Sequence, residues 1–393
     1  VVGAEVTMSE VTFVADELIE EAKGQTGFDD FGDLPYRKGL ETLLATYDEN
    51  IKDPEGRQRC RDRVVMQLAT RLKCENAFKT IPEYAEQEIV APIFVTGLPR
   101  SGTSALLNLL VAAPGNRGLL QWEVQFPDPW PGGKPGEEDP RYPFLVKALE
   151  ETRNSEFAKI HFVDADTPEE CVLLHAFAFT GVQLGFEIML EPYRNWLLQQ
   201  DLVPMYEYQK KQMQMLNWRN PGKQWMLKAP AHMWGIDAIM QVFPDARFVW
   251  CHRDPQKVVP SINSMNKVVM GMYAGDYSHL DAGEIGRAVM DWYAMSLEQG
   301  LAMREKLPED LFVDCSQAQF VDDPMSVVRS VYDAFGLDLS DESAAVLQSH
   351  IDSNPKGKHG KHEYDLAEYG LTSELIAERF AFYTENPRWP ISD

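Results

Sequence analysis

The sequence predicts an α/β protein, a P-loop-like parallel sheet flanked by helices, with an N-terminal helical annex. Three observations predict it. Short apolar runs of strand length at 91–96, 224–227, 247–251 and 311–313 alternate with segments of helical period. The first of these runs leads into a glycine-containing turn, Gly97–Gly102, that opens a helix. In residues 1–88 apolar residues recur at helical spacing. The expected division is therefore a helical annex at 1–88 and an α/β core at 89–393, with helical insertions around the ligand site.

Within the annex, Val11, Val14, Leu18 and Ile19 mark one helix face and Leu40, Leu43, Leu44 and Tyr47 another, with loops expected at Gly24–Pro35 and Asp53–Gly56. The core begins with the strand Ala91–Thr96 and the helix Ala105–Ala112. Gln125–Pro143 is rich in Pro and Gly and reads as a loop. Residues 144–218 read as helical. Inside them the apolar stretch Cys171–Leu190, interrupted by His175, Gln183 and Glu187, is expected as one buried helix lining a pocket. A second strand, Gln224–Leu227, leads into Lys228, and the helix His232–Val242 follows. The third strand, Arg247–Cys251, leads to Arg253, and the fourth, Leu311–Val313, precedes the helix Pro324–Phe335. Such sheets bind ligands at the carboxyl ends of their strands, so the polar residues just past each strand are the candidates.

Lys and Arg total 37 against 61 Asp and Glu, a formal charge of −24. So acidic a surface repels nucleic acid and anionic membrane. An anionic ligand binds only where the few cations converge. The 5 cysteines form no C-x-x-C pair, which favours reduced thiols in a cytoplasm over a disulfide framework or a metal site. Val1–Glu10 lacks the order of a signal peptide, and no transmembrane segment is expected. A homo-oligomer is left open.

The turn Gly97-Leu98-Pro99-Arg100-Ser101-Gly102-Thr103-Ser104 fits the phosphate-loop pattern, but Thr103 stands where an NTPase carries Lys. Backbone N–H groups of such a loop and the following helix N-terminus make an anion cradle, and Arg100 supplies charge. Further on, Phe248-Val249-Trp250-Cys251-His252-Arg253-Asp254-Pro255 is followed by Ser261 on the next helix. Arg gives phosphate a bidentate fork and Ser a neutral donor.

These two motifs resemble the 5′-phosphosulfate loop and the 3′-phosphate motif of the sulfotransferases that use 3′-phosphoadenosine 5′-phosphosulfate (PAPS). Phe28-Asp29-Asp30-Phe31-Gly32, Trp225–His232, Phe243–Arg247 and Lys356–Gly370 resemble the bacterial branch that includes mycobacterial enzymes. The departures are Ser104 where Thr is commoner and Arg100 where animal cytosolic enzymes carry Lys. The resemblance implies transfer of a sulfuryl group from PAPS to a hydroxyl acceptor, with PAP as product and no metal required. It implies that Leu98, Pro99, Arg100, Ser101, Gly102, Thr103 and Ser104 hold the 5′ side, and Arg253 and Ser261 the 3′-phosphate. Lys356, Lys358, His359 and Lys361, a cationic cluster with Pro355 and two glycines, resemble a lid over the phosphates, with Tyr364 beneath.

In-line displacement at sulfur needs a base for the acceptor hydroxyl and a cation for the leaving phosphate. Glu123 is the expected base, by resemblance to protein-tyrosine sulfotransferases, with a strand expected to return it to the active face. His232 is the rival. His161, upstream of Asp164, Glu169 and Glu170, is a further candidate near the acceptor, and His161 or Glu170 is the next base to test should Glu123 and His232 both prove dispensable. Lys228, at a strand end, is the expected cation. Trp122, Phe126, Trp130, Tyr142 and Phe144 are candidates for an apolar acceptor wall, and an apolar small molecule or lipid is the expected acceptor. The alternatives are a P-loop kinase or NTPase and a catalytically silent PAP-binding protein.

Overall fold

The computed structural model describes residues 11–153, 164–182, 186–354 and 365–391. Five parallel strands form one sheet in the order β2-β3-β1-β4-β5. They are β1 (Ile93–Gly97), β2 (Asn116–Arg117), β3 (Gln224–Lys228), β4 (Arg247–His252) and β5 (Phe312–Ser316). Val95 of β1 is in register with Lys228, Gly97 with Cys251, and Cys251 in turn with Cys315.

Strand alternation divides the core into two layers. Phe94, Leu227, Phe248 and Phe312 face one buried cluster, which continues without a break into the annex. Ile93, Val95, Met226, Val249 and Val313 face the other, against Leu106 and Leu110 of α4 (Thr103–Ala112) and Val328 and Val331 of the helix Pro324–Phe335. Both faces are covered, so β1 is buried along its whole length and reads as an unbroken apolar run.

The annex is α1 (Ala15–Thr26), α2 (Arg37–Asn50) and α3 (Pro54–Thr80). Both expected annex loops begin later or end earlier than the glycines suggested. Gly24 lies inside α1, and Pro54–Gly56 is the first turn of α3, whose N-cap Asp53 accepts from the Gly56 N–H at 2.6 Å. Gly56 is needed there for another reason: a Cβ would fall 2.0 Å from the Ala274 carbonyl oxygen. Arg71 of α3 is fully buried and donates to the carbonyls of Phe31, Leu34 and Phe177 at 2.9, 2.7 and 3.0 Å. One guanidinium thus ties the 31–34 turn to the wall of the core. Arg63 pairs with Glu187, both buried, beside Tyr47.

The stretch Cys171–Leu190 is not one helix. Among its described residues, a short helix Val172–His175 runs into a 3-10 turn that stops at Phe179, whose φ is +54°. The left-handed residue breaks the helical path, and Gly181 follows where a Cβ would meet His175 at 2.9 Å. Among the described residues, no helix is long and apolar enough to cross a membrane.

Candidate active site

The chain reverses direction across the sheet at β1, since β2 and β3 lie on one side and β4 and β5 on the other. The crevice between the carboxyl ends of β1 and β4 is the position where such sheets hold ligands. The loop there is built by three residues at positive φ: Gly97 at 130°, Arg100 at 63° and Gly102 at 92°. At Gly97 a Cβ would sit 2.2 Å from the Cys251 carbonyl oxygen of β4, so only glycine fits. Arg100 is held in the left-handed region by its surroundings. The Ser101 hydroxyl donates to the Leu98 carbonyl at 2.6 Å, and the Arg253 guanidinium donates to the Arg100 carbonyl. Gly102 offers no side-chain cap to α4, so the first-turn N–H groups face the loop.

The two phosphate motifs meet directly. Arg100 Nε donates to Ser261 Oγ at 3.3 Å, beside the Arg253 contact. Ser261 is carried on the helix Pro255–Ala274, whose N-cap Asp254 accepts from the Gln256 N–H at 2.9 Å. His252 fixes the end of β4 from behind. Its ring nitrogens meet the Tyr383 hydroxyl at 2.8 Å and Asp314 at 2.7 Å. Arg304 clamps Asp314 through two donors at 2.6 and 2.7 Å. Burial alone would raise the Asp314 carboxyl, but hydrogen bonds from Arg304 and His252 hold it well below the usual carboxylate range.

Lys228, at the end of β3 and 1% exposed, lies between the loop and an acid. Its Nζ donates to Ser104 Oγ at 3.0 Å and to Glu170 Oε1 at 2.5 Å. Glu170 lines a cavity of about 80 Å³ against Pro99, with Val172, Ile262, Trp292 and Tyr293 among its walls. A wider cleft of about 700 Å³ shares Trp292, but no residue of the phosphate loop lines it.

The structure does not bring Glu123 to this group. Glu123 lies on a helix, α5 (Gln121–Gln125), and is 2% exposed. One carboxylate oxygen accepts from Arg117 at 2.6 Å and the other from the Leu120 N–H at 3.1 Å, so both cap and brace the helix start. His232 is fully buried, with Nδ1 against the Tyr206 hydroxyl at 2.9 Å. Burial, His175 and Lys228 push its pKa well below the ordinary value, so the ring resists taking a proton. None of Trp122, Phe126, Trp130, Tyr142 and Phe144 lines the Glu170 cavity, and Tyr142 packs edge-on against Trp122 while its hydroxyl donates to Asp166 at 2.6 Å. Arg219 lies over Trp122 and Trp130, and Arg141 over Phe126, while Phe144 is exposed. Arg141 also pairs with Asp128 and Asp139, which orders the Pro/Gly-rich loop. His161, Lys356, Lys358, His359, Lys361 and Tyr364 lie outside the described residues.

The sequence left three site features unassigned: Glu170 as the partner of Lys228, His252 as an anchor, and the polar lining of the small cavity. Glu170 stood only as a fallback base alongside His161, and nothing in the chain announces its contact with Lys228, so far away in sequence. His252 was readable, since it directly precedes Arg253 at the strand end.

The carboxyl ends of β1, β3 and β4 thus gather a glycine-built loop, the cations Arg100, Lys228 and Arg253, and the Glu170 carboxylate. Residues 92–341, more than half of the chain, match the model of the Sulfotransferase family, and the chain belongs to that family. The crystal structure of sulfotransferase STF9 from Mycobacterium avium is 28% identical with a TM-score of 0.88, over 98% of this chain and 99% of that one. The crystal structure of sulfotransferase STF1 from Mycobacterium tuberculosis is 31% identical with a TM-score of 0.83, over 95% and 100%. The omega-hydroxy-beta-dihydromenaquinone-9 sulfotransferase Stf3 of Mycobacterium bovis is 23% identical over 75% of this chain and 76% of its own length.

Proposed function

We propose that this sulfotransferase takes its sulfuryl group from PAPS and delivers it to the hydroxyl of an apolar small molecule or lipid. The observation that carries the reading is Lys228, whose Nζ contacts the phosphate loop at Ser104 and the Glu170 carboxylate at once. The residues fit the donor. The uncapped start of α4 and the Gly97 turn suit the 5′-phosphosulfate, and Arg253 with Ser261 suits a 3′-phosphate. Lys356, Lys358, His359 and Lys361 remain candidates to cover the phosphates.

In this reading Glu170 replaces Glu123 and His232 as the base. The acceptor hydroxyl attacks sulfur, its proton passes to Glu170, and the bond from sulfur to the bridging phosphate oxygen breaks. Lys228 and the α4 N–H groups stabilise the charge that develops on the leaving phosphate. A Mycobacterium relative named for a hydroxylated menaquinone derivative supports an apolar acceptor.

Thermal-shift measurements with PAP, AMP and ATP with Mg²⁺ test the donor. The expected order is PAP first, without added metal. A larger shift with ATP and Mg²⁺ removes the reading.

A further inference from the structure

The small cavity beside Pro99 and Glu170 is apolar on most of its wall, through Val172, Val182, Ile262, Met265 and Trp292. Besides Glu170 and Tyr293, two polar side chains interrupt that lining. Asn266, 3% exposed, comes from the helix Pro255–Ala274, and Ser296, 1% exposed, from the helix Ala282–Arg304. Asn266 Nδ2 and Ser296 Oγ are buried and have no hydrogen-bond partner among the described residues. A buried polar group without a partner is costly, and native proteins pair more than nine in ten of them. Two such groups in one cavity, next to the reaction centre, fit a partner brought in by a ligand.

We propose that Asn266 and Ser296 determine acceptor specificity by gripping a second oxygen of the acceptor, a carbonyl or an ether, at a few bonds from the hydroxyl that Glu170 faces. The inference rests on the sulfotransfer reading for the identity of that hydroxyl. A purely hydrocarbon alcohol leaves both groups unpaired, whereas an acceptor with the second oxygen satisfies the amide N–H and the serine O–H together. Sites built to bond a substrate oxygen reject analogues that lack it far more strongly than apolar pockets reject a size change. Asn266 shares its helix with Ser261, so the same element that meets Arg100 would also read the acceptor.

The test has two readouts. The first needs no acceptor: the melting temperatures of Ser296→Ala and Asn266→Leu without ligands. Removing an unpaired buried polar group is neutral or stabilising, so both should melt at or above the wild-type temperature. A fall of several degrees in both shows that the groups serve the fold and overturns the proposal. The second compares 4-hydroxy-2-butanone, 5-hydroxy-2-pentanone and 6-hydroxy-2-hexanone with the branched alcohols in which a methyl-bearing carbon replaces the carbonyl. Wild type should favour the best hydroxyketone over its isostere by about tenfold or more in kcat/KM, and either variant should erase that ratio. A wild type that favours no hydroxyketone, or variants that slow both alcohols equally, overturns it. PAP affinity, measured in parallel, separates the two ideas. Loss of PAP binding in the wild type would sink the donor assignment, while the melting temperatures still decide the role of the two side chains.

Discussion

Glu123→Gln and Glu170→Gln should separate stability from turnover. Glu123 and Arg117 are 2% and 5% exposed at the side chain and 2.6 Å apart. Removing one partner of such a pair leaves a buried charge uncompensated, at a cost of about 3 kcal/mol. Unfolding entropy runs at about 2.1 cal/mol/K per residue, or roughly 0.8 kcal/mol/K for this 393-residue chain, so the melting temperature should fall by about 4 °C. Turnover of the surviving folded protein should be nearly unchanged. Glu170 is different. Its side chain is 28% exposed, Ser104 still accepts from Lys228, and a glutamine carbonyl can accept as well, so stability should move by less than about 2 kcal/mol. Turnover should drop by roughly a hundred- to ten-thousand-fold, the usual cost of losing a general base, with PAP affinity retained. The assay is differential scanning fluorimetry beside sulfate transfer to an accepted alcohol. If Glu123→Gln abolishes turnover at an unchanged melting temperature and Glu170→Gln keeps its rate, the assignment of the two carboxylates is reversed.

Arg253→Ala should weaken PAP by about 2 kcal/mol and AMP much less, because AMP lacks the 3′-phosphate; calorimetry with equal losses excludes that contact. Lys228→Met should lower kcat by about a hundredfold or more while PAP still binds, and an unchanged kcat would remove Lys228 from charge stabilisation. Gly97→Ala forces a Cβ against the Cys251 carbonyl, so soluble expression or PAP binding should be lost, and a normal variant would contradict the loop geometry. Burial lowers the His175 pKa from 6.5 to about 4, so the unfolded chain binds its proton first as pH falls. Stability from this residue is complete above about pH 7 and declines between 6.5 and 4 by about 3 kcal/mol; denaturation by urea should show that slope, flattened in His175→Asn. Asp314 adds its own loss only below its usual range, since its folded carboxyl is held low.

The strand ends were legible because each pairs a short apolar run with an abrupt glycine or cation: Gly97, Lys228 and Arg253 all fall within two residues of a strand terminus. Composition pointed the same way, since in a chain this acidic a cation at a strand end stands out. The carboxylates were not legible from type alone. Glu123 follows the loop closely and Glu170 lies far beyond it, and what separates their roles is which cation each meets. The spacing Leu120 to Glu123 is that of a helix cap, a local signal for a structural role that Arg117 completes. Glu170 has no such local signal, since its partner Lys228 arrives through the sheet. The broken stretch Cys171–Leu190 misled for a related reason. Its hydrophobicity reports burial, while the left-handed Phe179 that breaks it is imposed by packing, with Tyr193 bonding its carbonyl at 3.1 Å.

The most direct test of the central claim is transfer of ³⁵S from labelled PAPS, without added metal, to a panel of apolar alcohols and a lipid extract. Wild-type protein should label an organic-soluble product, and Glu170→Gln and Lys228→Met should leave that product near background. No labelled product with any acceptor, from protein that nonetheless binds PAP, would contradict the claim that this member of the family transfers sulfate from PAPS to an apolar hydroxyl.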